Sequence, residues 1–149
     1  MSAPDEPASV HASAVAIEGR GVLIVGPSGS GKSALAADLI SRSATLIADD
    51  RTLILPGSPP LLSAPSRTSG MIELHGIGIL HVANVTTAPA ALIVDLGSEA
   101  RERLPDLGER LLLNCPVRLM FAKGHPTLAA AVTLAATATW IDPKTHFVE

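Results

Sequence analysis

The 149-residue sequence has few aromatic residues and a single cysteine. Phe121, Trp140 and Phe147 are its only aromatic side chains, so the core must be aliphatic and the stacking surfaces typical of single-stranded nucleic-acid binders are missing. One cysteine, Cys115, excludes a disulfide framework or a cysteine metal cluster within one chain. A formal net charge of -3 provides no basic surface for DNA or RNA. We therefore expect no nucleic-acid partner.

Long hydrophobic runs are also missing. The longest apolar stretch, LAAAVTLAATA at residues 128–138, has about half the length of a membrane-spanning helix. The N-terminal segment MSAPDEPASV contains two acidic residues and no apolar stretch, which does not fit a signal peptide. The sequence therefore predicts a cytoplasmic protein without a membrane partner. Residues 1–8 are predicted to form a disordered tail and residues 9–149 a single catalytic domain.

Short apolar runs alternate with helical patterns along the chain. Residues 22–25 are a continuous apolar run, which is typical of a strand buried on both faces, and residues 46–48 and 91–96 are also predicted to be buried strands. Helices are predicted from about Lys32 onward and over residues 127–140, with Thr127 as a possible N-cap. This interleaving predicts an α/β fold, a P-loop nucleotide-binding core with a mixed sheet.

The remaining segments give less definite predictions. Residues 10–19 alternate in polarity and predict a strand that ends in a turn at residues 19–21. Residues 56–70 are rich in proline and serine and predict a mobile loop. Residues 71–82 should be ordered around a tight turn, and the charged residues 99–110 should form an exposed helix or loop.

One segment matches the phosphate-binding pattern G-x-x-x-x-G-K-[ST] in full. It consists of Gly26, Pro27, Ser28, Gly29, Ser30, Gly31, Lys32 and Ser33. An apolar strand pattern precedes it and a helical pattern follows, so backbone N–H groups at the helix start should bind nucleotide phosphates. In this pattern the lysine meets the β and γ phosphates and the serine hydroxyl binds Mg²⁺. The sequence therefore predicts ATP and Mg²⁺ as cofactors.

Acidic residues follow two of the predicted strands. Asp49 and Asp50 come directly after residues 46–48, and strand alternation sends them to opposite sides. One of them can face the phosphates while the other supports the loop, so the pair is a candidate for the base or orienting group of phosphoryl transfer. Asp95 is more typical of a turn residue, and the local sequence around Glu73 and His11 indicates surface residues.

The spacing of these segments resembles that of the HPr kinase/phosphorylase family. His11, the phosphate loop, Ala-Asp-Asp-Arg at residues 48–51 and Glu-Leu-His-Gly-Ile-Gly-Ile at residues 73–79 occur in the family's order. The last segment is similar to the family signature E-I-R-G-L-G-I. The resemblance covers residues 11 to about 85 well and the remainder loosely, and it indicates a short form restricted to the catalytic domain.

The resemblance implies an enzyme that phosphorylates a serine of the phosphocarrier protein HPr and removes the phosphate by phosphorolysis, releasing pyrophosphate. It also implies a homo-oligomer, usually a hexamer. By this resemblance Lys32 binds phosphates, Ser33 and Glu73 hold Mg²⁺, and His11 lies near the phosphate site. The pair Asp49 and Asp50 would include the carboxylate that accepts the serine proton.

Three positions differ from the family pattern, and two other functions stay open. His75 replaces an arginine of the signature, Pro27 replaces a common aspartate, and the downstream segment Lys-Gly-His-Pro-Thr at residues 123–127 lacks the family's arginine. A P-loop kinase of a small metabolite would need arginines from a lid, for which Arg67 is best placed. A non-catalytic ATP-sensing regulatory module would fit the missing downstream arginine.

Overall fold

A computed structural model describes residues 7–146 of the chain. In chain order the strands are β1 (Ala8–Val10), β2 (Ser13–Ile17), β3 (Arg20–Val25), β4 (Thr45–Ala48), β5 (Thr52–Leu55), β6 (Leu61–Ser63), β7 (Met71–Leu74), β8 (Gly78–His81), β9 (Thr87–Asp95), β10 (Gly108–Leu112) and β11 (Cys115–Phe121). The helices are α1 (Lys32–Ser41), α2 (Leu128–Thr137) and α3 (Pro143–His146). Most of the predicted tail, residues 1–6, lies outside the described residues, and β1 already begins at Ala8.

Strand β9 holds the main sheet together because it pairs with three other strands. Nine strands form this sheet, with the order β1-β5-β6-β9-β3-β2-β4, while β11 also pairs with β9 and β10 with β11. The pairs β3–β9 and β9–β11 are parallel, and the other pairs are antiparallel. Strands β7 and β8 form a separate antiparallel hairpin. The predicted α/β fold with a mixed sheet is confirmed.

The central strands bury side chains on both faces of the sheet. On β3, Val22 and Ile24 belong to a core cluster that contains residues of α1 and α2, while Leu23 belongs to a second cluster on the opposite face. On β9, Leu92 and Ile93 divide in the same way. Their continuous apolar sequence is explained by this double burial.

Four strands of the main sheet have their carboxyl ends at the same edge. Strand β2 is antiparallel to both β3 and β4, so β4 runs in the same direction as β3. The carboxyl ends of β3, β4, β9 and β11 therefore lie at the same edge, where ligands of open α/β sheets bind. The segment GPSGSGKS follows β3 at this edge.

The turn between β2 and β3 lies earlier than the sequence predicts. Ile17 pairs with Arg20, which leaves Glu18 and Gly19 as the two turn residues, both with positive φ (50° and 79°). Residue 21 belongs to β3, and a Cβ there would lie 2.7 Å from the backbone oxygen of Pro89 on β9. Gly21 is thus required by close strand packing and not by a turn.

The proline-rich segment is partly a strand, so the prediction of a mobile loop over residues 56–70 is wrong. Strand β6 pairs with both β5 and β9, and Leu62 is fully buried in the second core cluster. Ser63 Oγ donates a hydrogen bond of 3.0 Å to the backbone oxygen of Thr86. Prolines precede this strand, where they do not interrupt the hydrogen bonds of the sheet.

Two further segments begin or end at residues other than those predicted from the sequence. Residues 99–107 form no helix, in agreement with one of the two predicted options, but residues 108–110 begin β10. Helix α2 ends at Thr137, earlier than predicted, and Trp140 Nε1 donates to the backbone oxygen of Ala135 near this end. Thr127 occupies the N-cap position without a side-chain capping hydrogen bond. Within residues 7–146, no helix has the length and hydropathy to cross a membrane.

Candidate functional site

The glycine-rich loop connects β3 to α1 through backbone conformations that favour glycine. Gly31 has φ of 99° and stands at the N-cap of α1, which begins at Lys32. Gly26 has φ of 151°, and a Cβ there would lie 2.6 Å from Ser30 Oγ. The loop therefore needs glycine at both ends, and it brings the free N–H groups of the first turn of α1 to the edge of the sheet.

Lys32 lies against the loop that it follows. The residue is 7% exposed, and its Nζ donates to the backbone oxygens of Gly26 (2.7 Å) and Pro27 (3.1 Å). A lysine ammonium has three N–H donors, so one is left to meet a ligand oxygen. Within the described part of the chain, Ser30 Oγ is the buried side-chain polar atom that has no hydrogen-bond partner. Among the described residues, the third N–H of Lys32 and the hydroxyl of Ser30 are thus free to bind a ligand at the loop.

Asp49 is the centre of the hydrogen-bond network at this edge. Its Oδ1 accepts hydrogen bonds from Ser33 Oγ (2.7 Å) and Ser13 Oγ (2.9 Å). Its Oδ2 accepts one of 3.0 Å from the backbone N–H of Glu73. The carboxylate therefore connects the start of α1, strand β2 and strand β7 to the end of β4, and it lies beside the serine that ends the phosphate-binding pattern.

Asp50 points to a different partner. His11 Nε2 lies 2.7 Å from Asp50 Oδ1, and the two side chains are 45% and 74% exposed. The backbone of Asp50 has φ of 68°, and its N–H donates to Ser13 Oγ over 3.2 Å. Residues other than glycine adopt this conformation rarely, and such positions concentrate at functional sites. The two adjacent aspartates thus have different partners, Asp49 at the start of α1 and Asp50 at His11, and their predicted catalytic roles stay predictions.

Glu73 joins the site through its backbone. Its N–H is bound to Asp49, while its side chain is exposed on the β7–β8 hairpin. Among the residues that the structure describes, no group of three or more His, Cys, Asp or Glu side chains is arranged to hold a metal ion. The predicted role of Glu73 as a metal ligand stays a prediction.

Ser13 is a site residue that the sequence analysis missed. It is fully buried in β2, where it donates to Asp49 and accepts from the N–H of Asp50. A serine within an apolar strand was the available signal, because a buried hydroxyl needs a partner. Its partner Asp49 lies 36 residues away, so the sequence around Ser13 does not indicate it.

The loops after β9 and β11 border the glycine-rich loop. A Cβ at Gly97 would lie 3.3 Å from Pro27 Cδ, and the N–H of Lys123 donates to the backbone oxygen of Ser98 over 3.1 Å. Residues 97–101 and Lys123 line one open polar cavity, to which Arg101 brings a second cationic side chain. The lining thus contains two cations, Arg101 and Lys123, and one carboxylate, Glu99, although residues 123–127 contain no arginine.

Asp95 has a structural role, as its sequence context indicates. Its Oδ2 accepts a hydrogen bond of 2.8 Å from Arg110 on β10, and its Oδ1 accepts one of 2.7 Å from the N–H of Gly97. These contacts fix the turn that follows β9. Asp95 is thus held away from the Asp49 network by its own partners.

Comparison with protein families and curated proteins gives a consistent result. The model of the family described as HPr Serine kinase C-terminal domain matches residues 5–91, more than half of the chain. The HPr kinase/phosphorylase of Levilactobacillus brevis is 44% identical over 84 residues, which are 55% of this chain and 27% of that protein. The HPr kinase/phosphorylase of Clostridium tetani is 35% identical over 142 residues, 87% of this chain and 47% of that protein. The chain spans about half the length, or less, of these curated relatives.

A solved structure is similar over most of its length. The HPr(Ser) kinase/phosphatase from Coxiella burnetii superposes with a TM-score of 0.75 and 26% sequence identity. The match covers 86% of this chain and 87% of that one. The two chains therefore share the same overall fold.

Proposed function

The chain belongs to the HPr serine kinase C-terminal domain family, and we propose from this membership that it transfers a phosphoryl group from ATP to a serine of the protein HPr. The names of its relatives and of the similar solved structure support this proposal. The observation that carries it is the position of Asp49, hydrogen-bonded to Ser33 beside the glycine-rich loop. Asp50 next to it is exposed to an approaching hydroxyl.

ATP would bind with its phosphates over the glycine-rich loop. The N–H groups at the start of α1 face this edge, and phosphate binding at such helix ends is favoured by both hydrogen bonds and the helix dipole. Lys32 is already held at the loop by Gly26 and Pro27, so its remaining N–H can bind a phosphate oxygen without a large movement. Ser30 Oγ would gain the partner that it lacks among the described residues.

Mg²⁺ fits the donor set of this site. Ser33 Oγ and the Asp49 carboxylate are adjacent oxygen groups, and Mg²⁺ in phosphate-loop proteins takes one or two protein ligands and completes its shell with water and phosphate. We propose that Ser33 and Asp49 hold the ion, directly or through water. When bound, Mg²⁺ supplies positive charge that neutralises the phosphate oxygens.

Asp50 is the carboxylate that we assign to the acceptor serine. Asp49 already accepts hydrogen bonds from two serine hydroxyls and one backbone N–H, whereas Asp50 is largely exposed and has His11 as its side-chain partner. The serine oxygen attacks the γ-phosphorus, the bond from that phosphorus to the bridging oxygen breaks, and ADP leaves. The serine proton passes to Asp50, whose orientation His11 maintains.

The reverse reaction would use the same groups. Inorganic phosphate attacks the phosphoserine, the bond between phosphorus and the serine oxygen breaks, and Asp50 returns the proton to that oxygen, which yields serine and pyrophosphate. Arg101 and Lys123, which line the cavity beside Pro27, are the cations that we assign to the second anion. Homo-oligomerisation, as a hexamer, and a location in the cytoplasm, where ATP is abundant, belong to the same proposal.

Transfer of labelled phosphate tests the proposed function. The protein is incubated with γ-labelled ATP, Mg²⁺ and HPr from the same organism, and the label on HPr serine is followed before and after addition of inorganic phosphate. We expect label on HPr that is lost as pyrophosphate when phosphate is added. Binding of ATP without transfer to HPr would overturn the proposal in favour of an ATP-sensing module, and transfer to a small acceptor would favour a metabolite kinase.

A further inference from the structure

The turn that carries Asp50 has a backbone conformation that the surrounding structure must stabilise. The N–H of Arg51 donates a hydrogen bond of 2.8 Å to the backbone oxygen of Asp49, and Asp50 between them has φ of 68°. A three-residue turn with positive φ at its centre is rare and strained for residues other than glycine. Such a conformation persists only where the surrounding contacts stabilise it. The contacts of this turn therefore determine where the Asp50 carboxylate lies.

Residues 49–51 interrupt an antiparallel pairing that continues on both sides of them. Val10 pairs with Thr52 on one side of the interruption. Ala14 pairs with Ala48 on the other side. The opposing segment also has three residues between these pairs, so both pairs share one register. Residues 49–51 themselves belong to no strand, and their backbone groups need other partners.

Two buried hydroxyl groups connect the two segments at this interruption. The N–H of Asp50 donates to Ser13 Oγ over 3.2 Å. Thr52 Oγ1 donates to the backbone oxygen of Ala12 over 2.8 Å. Both hydroxyl residues are fully buried, so water cannot easily replace either bond, and the group left behind would be unsatisfied. The turn is thus attached to the opposing segment both at Asp50 and directly after the turn.

The other side-chain contacts of the turn lie at the surface. His11 Nε2 lies 2.7 Å from Asp50 Oδ1, and both side chains are exposed. Arg51 Nη1 donates to Ser9 Oγ over 3.1 Å, also in an exposed position. Exposed polar pairs stabilise a conformation weakly, because water competes for the same groups. The two buried hydroxyl groups are therefore the stronger restraints on the turn.

We propose that Ser13 and Thr52 are positioning residues for phosphoryl transfer, whose hydroxyl groups fix the turn at residues 49–51 so that the Asp50 carboxylate meets the acceptor serine. This inference rests on the proposed function, in which Asp50 takes the serine proton. The two hydroxyl groups contact neither ATP nor the acceptor serine in this proposal. They act through the backbone of the turn and its neighbours.

The two hydroxyl groups differ in one further contact. Ser13 Oγ also donates to Asp49 Oδ1 over 2.9 Å, whereas Thr52 Oγ1 donates to a backbone oxygen. Without the Ser13 hydroxyl, Asp49 would still accept hydrogen bonds from Ser33 Oγ and the Glu73 N–H. The metal binding that we assign to Asp49 should therefore survive the loss of either hydroxyl group.

The test removes each hydroxyl group and restores one of them. Ser13→Ala and Thr52→Val each remove one hydroxyl, whereas Thr52→Ser retains it. Ser63→Ala is the matched control, because Ser63 is 8% exposed and its Oγ donates to a backbone oxygen over 3.0 Å. Ser63 lies on β6, which pairs with the first residues of β9, at the opposite end of that strand from Asp95. Thermal melts establish that each variant is folded at the assay temperature, and Ser13→Cys, with a weaker donor of similar size, replaces Ser13→Ala if that variant is not.

Positioning predicts a lower kcat with unchanged binding. The kcat for transfer to HPr should fall about tenfold or more in Ser13→Ala and in Thr52→Val, because a displaced catalytic group reduces the rate. The KM for HPr and the Kd for MgATP should stay unchanged in both variants. Thr52→Ser should recover most of the kcat. Ser63→Ala should lose thermal stability without a change in kcat.

A double-mutant cycle with Asp50→Asn distinguishes positioning from a purely structural role. Residues that act through one another have non-additive effects on the rate. Thr52→Val should therefore lower kcat much less in the Asp50→Asn background than in the wild-type protein. Ser13→Ala should behave in the same way. A purely structural role predicts the same fold loss in both backgrounds.

Contrary results separate this inference from the proposed function. An unchanged kcat in Ser13→Ala and Thr52→Val, equal fold losses in the two backgrounds, or a loss that lies in KM alone would overturn the positioning role and leave the kinase function intact. Wild-type protein that transfers no phosphate to HPr would overturn the proposed function and this inference with it.

Discussion

Ser33 and Asp49 are 16 residues apart in the chain, and Ser33 Oγ donates a hydrogen bond of 2.7 Å to Asp49 Oδ1. This contact attaches the start of α1 to the end of β4, so the glycine-rich loop and the aspartate pair form one structural unit. Asp50 follows directly and faces solvent with His11. The proposed function assigns metal binding to Asp49 and proton acceptance to Asp50, and variants of the two residues test this assignment.

Substitution of Asp50 should reduce catalysis more than binding. Asp50→Asn keeps the side-chain size and accepts a positive φ, but it removes the carboxylate to which we assign the serine proton. We expect kcat for transfer to HPr to fall about 100-fold or more, within the range for general base catalysis, with the Kd for ATP unchanged. Steady-state kinetics and calorimetric titration with ATP measure the two quantities. Full activity of this variant would exclude Asp50 as the base.

Substitution of Asp49 should affect both stability and Mg²⁺ use. Asp49→Ala removes the common acceptor of the Ser13 and Ser33 hydroxyls and of the Glu73 N–H. Loss of these bonds at a half-buried position should lower the free energy of unfolding by about 1–3 kcal/mol. Chemical denaturation measures this decrease.

The same variant distinguishes the metal role from a purely structural one. Wild-type protein should gain thermal stability when MgATP is added, because a ligand that binds only the folded state stabilises it. In Asp49→Ala this gain should be largely lost, whereas Asp50→Asn should retain it. An unchanged gain in Asp49→Ala would show that the carboxylate is not needed for the metal–nucleotide complex.

Gly26→Ala should abolish nucleotide binding. The added Cβ would lie 2.6 Å from Ser30 Oγ and 3.3 Å from the Leu96 Cβ, at a φ of 151° that alanine does not adopt easily. Gly19→Ala is the matched control, since it has φ of 79° but no atom within 4 Å of its hypothetical Cβ. We expect the control to lose about 1 kcal/mol of stability and to bind ATP normally. Equilibrium binding of a fluorescent ATP analogue compares the two; equal affinities would contradict the described loop geometry.

Leu62→Ala tests whether the proline-rich segment is part of the core. Leu62 is fully buried between β5 and β9, so its truncation should lower the free energy of unfolding by about 2–5 kcal/mol. Leu104→Ala is the control, because Leu104 is 48% exposed and should change stability by about 0.5 kcal/mol or less. Urea denaturation of both variants gives the comparison. A mobile segment at residues 56–70 would make the two substitutions equally mild.

The sequence predicted those parts of the molecule that short segments determine. Residues 22–25 read as a doubly buried strand because their apolar run is continuous, and Val22, Leu23 and Ile24 are indeed divided between the two core clusters. The start of α1 at Lys32 followed from the glycine pattern before it. Local composition alone was sufficient in both cases.

Contacts between distant residues could not be predicted in this way. His11 and Asp50 are 39 residues apart, and the pairing of their side chains depends on β2 and β4 lying next to each other in the sheet. The same register places Ser13 beside Asp49. Strand β6 escaped prediction because prolines and serines surround its three residues, while its burial comes from partners on β5 and β9.

Asp49 has a consequence for how phosphate-loop motifs are used to recognise proteins. Its carboxylate joins β2, α1 and β7 to the end of β4, so four separate segments determine where Ser33 lies. A fragment that retained GPSGSGKS but lacked residues 71–82 would lose one of these attachments without any change in the motif. The eight residues of the motif therefore identify the site, but its geometry depends on contacts with the rest of the domain. Grafting these eight residues into another protein would transfer the motif without those contacts.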